Sequence, residues 1–102
     1  MPVSDPAPEL TRVRTLTSRL RRTGARLAAS RRRREVIEVV GTARTDEQAA
    51  EAVSDLLGVD PAEANVVIDL PMRSFTEDRV ADLEAEHQRL EQKLATLRAE
   101  SV

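Results

Sequence analysis

Few side chains in this sequence could do chemistry, and their spacing limits what that chemistry could be. His87 is the sole histidine and there is no cysteine, so a disulfide scaffold, a thiolate nucleophile and a zinc site built on Cys are all excluded. His87 also falls in the seam of a helical repeat, where a polar residue serves to set register. Asp60, Glu63 and Asp69 are close enough in sequence to suggest paired carboxylates. No nucleophile, histidine or glycine-rich phosphate loop lies near them, so helix capping and solvation are their expected roles. No catalytic constellation remains; the chain is expected not to be an enzyme and to need no cofactor or metal. The four consecutive arginines Arg31, Arg32, Arg33 and Arg34 are different, because at about 100° per residue they wrap some 300° of a helix. They cannot all face one partner. Three readings stay open for them: pairing with acids of the same chain, a coding bias towards Arg, and contact with DNA phosphate. Stacking on bases is not open, since Phe75 is the only aromatic residue.

The elements that must position these residues follow from charge and periodicity. Formal net charge is only −2, yet Leu10 to Arg34 holds ten Arg and no acid, and Thr45 to Met72 seven acids and no base. A basic first third therefore faces an acidic remainder. With 102 residues and apolar content that is mostly Ala, Val and Leu, a compact core would be thin; burial between long helices or across a dimer is expected. No apolar run approaches the ~18 residues that span a membrane. The opening MPVSDPAPE lacks the basic and apolar regions of a secretion signal, and a cytoplasmic location is expected.

Residues 1–8, with three prolines, are expected to be disordered. A long helix is predicted over 9–40, with Val13, Leu16, Leu20 and Leu27 in heptad register and Thr23 and Ser30 weakening the seam. At ~1.5 Å per residue it would be on the order of 45 Å long, with Gly41 as its stop. Thr45 and Gln48 have capping-box spacing and open a short helix that Gly58 ends. Asp60 and Pro61 start a second short helix carrying Val66, Val67, Ile68 and Leu70, which Pro71 terminates. Ser74 and Glu77 again have capping-box spacing, and a last helix runs over 75–100 with Val80, Leu83, His87, Leu90, Leu94 and Leu97 alternating by three and four. The expected fold is all-α, a long antiparallel helical hairpin or coiled-coil arm (9–40 and 75–100) capped by a small tip of two short helices (41–74).

The block Ala64, Val67, Ile68, Asp69, Leu70, Met72, Phe75 and Thr76 resembles the stretch of type IIA DNA topoisomerase A subunits (those of DNA gyrase and its topoisomerase IV relative) that forms the C-gate dimer contact. The similarity extends over about residues 34–97. It takes in Glu35-Val36-Ile37, the run Thr42 to Ala49, Leu57-Gly58-Val59 and the run Leu83 to Leu90. The chain departs from that family at Arg31–Arg34, at Pro71 and at His87, which stands in place of a Tyr. It has no Tyr at all, and so could not form the phosphotyrosyl–DNA intermediate of the catalytically active relatives.

The resemblance implies a non-catalytic dimerisation module, the coiled-coil and C-gate region alone. Its interface would be Val66, Val67, Leu70, Met72 and Phe75, and it would pair with itself or modulate a topoisomerase A subunit. The alternative is a small basic DNA-binding protein whose Arg-rich first helix, Arg31–Arg34 above all, contacts duplex phosphates weakly and without sequence preference.

Overall fold

In the computed structural model, which describes residues 7–100, every element is helical: α1 Ala7–Arg31, α2 Arg33–Thr42, α3 Asp46–Leu57, α4 Pro61–Ile68, a short 3₁₀ turn Met72–Phe75, and α5 Glu77–Glu100. The molecule is elongated, 60 × 29 × 19 Å. The disorder expected of residues 1–8 lies outside the described residues except at Ala7 and Pro8, which open α1. A proline is tolerated there because the first-turn N–H groups have no intrahelical acceptor.

α1 is the shared element. Along one side it meets α5 running the opposite way: Arg19 reaches Glu86 at 3.5 Å, and Arg26 and Ser30 share a cleft with Arg79 and Asp82. Along another side it meets α4, where Arg21 Nε lies 3.2 Å from Glu63. Contact on two sides explains why Thr23, Ala25, Leu27, Ala29 and Ser30 are all buried, and why four of these five are small. The two polar members are satisfied within the helix, Thr23 Oγ1 donating to Arg19 O (2.7 Å) and Ser30 Oγ to Arg26 O (2.9 Å). Leu83, Leu90 and Leu94 of α5 are buried, and Leu27 of α1 is buried beside α5.

The single helix expected over 9–40 is two helices. Arg32 leaves helical geometry (φ −121°, ψ 34°), and its N–H is shared between Ala28 O and Ala29 O at 3.1 and 3.2 Å. The bend turns Val36, Val39 and Val40 onto α3, whereas a straight helix in the same heptad register would have turned Ile37 inward; Ile37 is instead exposed. α2 then runs through Gly41 to Thr42, so Gly41 lies inside a helix and does not stop it.

The caps are mostly local in origin. Thr45 Oγ1 accepts from Gln48 N–H (3.1 Å), while the Gln48 side chain accepts from Arg44 N–H (3.1 Å). Gly58 takes the left-handed conformation (φ 66°) that ends α3, and the N–H groups of Gly58 and Val59 both donate to Ser54 O. At α4 the capping box is complete: Asp60 Oδ1 accepts from Glu63 N–H (2.7 Å), and Glu63 Oε2 accepts from Asp60 N–H (3.2 Å). Ser74 does not open α5. It lies in the 3₁₀ turn, and α5 begins at Glu77 after the extended Thr76, so Phe75 falls outside the helix.

Ala25 and Ala29 of α1 form one core with Val36, Ala50, Val53, Ala64 and Val67; Leu56, Leu57, Ile68 and Phe75 pack at its edge. α4 lies beside α1 from the level of Arg21, about ten residues before α1 ends, not beyond that end. Because α1 and α3 cover it, the apolar block of α4 is largely accommodated within one chain.

Candidate interaction surfaces

The residues expected at a dimer contact fall into two groups. Val67 is 3% exposed and belongs to the chain's own core, and Phe75 is half-buried against that core. Met72 is 70% exposed on the outer 3₁₀ turn, beside half-buried Leu70. Val66 is half-buried and lines a shallow cleft between α4 and α1 with Arg14, Thr17 and Ala62. The structure thus brings Leu70 and Met72 to one outer turn and does not place Val67 on any surface.

The four arginines separate by role. Arg32 is held three ways: Nε and Nη2 donate to the two oxygens of Glu35 at 3.0 and 2.6 Å, and Nη1 donates to Leu56 O at 2.8 Å. It thereby closes the bend against the last turn of α3, whose carbonyls carry the negative end of that helix. The paired guanidinium holds the Glu35 carboxyl below its usual range, chiefly through the hydrogen bond, and Arg32 is raised in turn. Arg33 Nη1 donates to Ser30 O at 3.0 Å. Arg31 and Arg34 are exposed, with no ion pair among the described residues.

His87 sits in the α1–α5 seam with Nδ1 2.7 Å from Glu91 Oε1, its ring lying over Gly24. Asp60 and Glu63 are the α4 cap, tied to Arg21, and Asp69 ends that helix in solvent. Among the described residues no three His, Cys, Asp or Glu side chains gather closely enough to hold a metal ion, and no helix is long and apolar enough to cross a membrane.

One surface was not anticipated from the sequence. Arg19 and Arg26 of α1 and Arg79, Arg89 and Lys93 of α5 line adjoining clefts along one side of the helix pair. The i, i+4 spacing of Arg89 and Lys93 places those two on one face of α5, but which α1 residues stand opposite depends on how the helices register. No protein-family model matches the chain, and no similar curated protein or solved structure was found.

Proposed function

We propose that the chain is a non-catalytic dimerisation module resembling the C-gate of type IIA topoisomerase A subunits. The α1–α5 pair would act as a coiled-coil arm and the outer turn at Leu70–Met72 as the contact, joining two copies or one copy to a topoisomerase A subunit in the cytoplasm. The observation that carries this reading is Met72: a large apolar side chain 70% exposed at the turn between α4 and α5, next to half-buried Leu70. Apolar side chains held at a turn are suited to a twofold contact, in which one patch meets its own copy.

The test is sedimentation equilibrium of the wild type beside Met72→Asp. Met72 is exposed, so the variant should keep its helicity and thermal midpoint while becoming monomeric. A charge at Val67 would not serve, because it would be buried in the core and unfold the chain. A dimer that survives Met72→Asp but dissociates in Leu10→Asp would move the contact to the far end of the arm, where Leu10 is 53% exposed.

A second reading, contact of the Arg-rich first helix with duplex phosphate, is favoured by the exposure of Arg31 and Arg34 without acidic partners among the described residues. Arg32 and Arg33 are occupied within the chain, so at most half of the run is free for it.

A further inference from the structure

Positive charge predominates on one side of the α1–α5 pair. Arg26 and Arg79 share a cleft with Asp82 and Glu86; Arg19, Arg89 and Lys93 share the next, and Glu86 lies in both, so the two form one groove. Five cations therefore line it against two carboxylates. Glu86 is already engaged by Arg19 at 3.5 Å. Among the described residues, Arg26, Arg79, Arg89 and Lys93 have no ion pair.

Other acids lie elsewhere. Glu84 and Glu91 lie in the cleft on the other side of the same helix pair, with His87. Asp46, Glu47, Glu51 and Asp55 are exposed on α3. A chain of formal net charge −2 thus carries an excess of positive charge along one groove, and Glu84 and Glu91 would turn away from a polyanion seated there.

We propose that this groove binds the phosphate backbone of a nucleic-acid duplex, with Arg26, Arg79, Arg89 and Lys93 as phosphate ligands. The proposal rests on the second reading above but moves the contact from Arg31–Arg34 to the α1–α5 groove. From Arg79 to Lys93 is about 21 Å along a helix, the rise of about six base pairs at 3.4 Å per step. A duplex is favoured over a single strand because the only aromatic, Phe75, is packed at the edge of the core and offers no base a stacking platform. Arginine and lysine on phosphate position a protein without reading sequence, so binding is indifferent to base order and sensitive to salt.

The experiment is a fluorescence-anisotropy titration of a labelled duplex of about 20 base pairs at salt concentrations from about 50 to about 200 mM. Three proteins are compared: the full chain, Arg89→Gln/Lys93→Gln, and Arg31→Gln/Arg34→Gln. All four positions are exposed, and circular dichroism with a thermal midpoint confirms that each variant keeps its fold. With about four phosphates neutralised, wild-type affinity should fall about 150-fold over that range, and the groove variant should lose about two units of the log–log salt slope. The Arg31/Arg34 variant should retain the wild-type slope. Loss of binding in the Arg31/Arg34 variant alone would overturn the groove while leaving DNA contact standing. Absence of wild-type binding at the lowest salt would overturn both. Tighter binding to polyglutamate than to the duplex, or low-salt self-association that the groove variant loses, would assign the groove to an acidic protein surface and overturn the proposal.

Discussion

Arg32 connects three elements with one side chain. Its backbone ends α1, its guanidinium grips Glu35 at the start of α2, and its third donor reaches the C-terminal carbonyl of α3 at Leu56. A lysine could keep the charge, but a single ammonium cannot supply the planar fork that holds both Glu35 oxygens while also reaching Leu56. Arg32→Ala should therefore lower the urea midpoint, and Arg32→Lys should recover only part of the loss. The pH dependence has a definite sign. Glu35 is held below its ordinary value in the folded chain, so its contribution is complete above the usual carboxylate range of about 4.3 and is lost as pH falls through the depressed folded value. Urea midpoints measured from neutral pH down to about pH 3 should show a steeper acid-side decline in the wild type than in Arg32→Ala. Superimposable acid limbs would mean that the pair contributes nothing. The sequence makes this arginine conspicuous but hides its role, because the acceptor that fixes it lies 24 residues further along the chain.

At the scale of elements, what could be read in advance is what local chemistry decides. Thr45, Asp60 and Gly58 cap α3 and α4 as their types and spacing require, since each partner lies within a few residues. Ser74 misled because Pro71 starts a 3₁₀ turn whose Ser74 N–H donates to Pro71 O, using the residues a capping box would need. The break at Arg32 left one trace in the sequence: Val36, Val39 and Val40 are out of phase with Val13, Leu16, Leu20 and Leu27, so one straight helix could not bury both sets. The basic groove left less, because it exists only once α1 and α5 have taken their register. Two glycines test the local reading from opposite sides. Gly41 is inside α2 with nothing within 4 Å of where a Cβ would stand, so Gly41→Ala should stabilise the chain by about 0.5–1 kcal/mol through helix propensity. Gly58 also has open space, but its φ of 66° strains any L side chain, and Gly58→Ala should cost about 1 kcal/mol. Thermal midpoints shifting in the same direction for both would refute the assignment of one as a helix residue and the other as a left-handed cap.

Across the whole molecule the question is whether the long helix pair and the small core are one cooperative unit. An elongated molecule invites independent melting of its ends, yet α1 serves both regions with adjacent residues: Leu27 is buried in the run that also contributes Ala25 and Ala29 to the core. Loosening the seam should therefore be felt in the core. Leu90 is 5% exposed, and Leu90→Ala should leave a cavity costing on the order of 2–4 kcal/mol. If α1 couples the two regions, hydrogen exchange followed by mass spectrometry will show faster exchange in peptides from α3 and α4 as well as α5, because all three then open only when α1 is released. The last turns of α5 beyond Leu94, where α5 is mostly exposed, should exchange rapidly in both proteins. Faster exchange confined to α5, with α3 and α4 unchanged, would show that the core survives without the seam. In that case the helix pair could splay while a contact at Leu70–Met72 remained intact; in the coupled case, any partner bound at that turn would also stabilise the groove between α1 and α5.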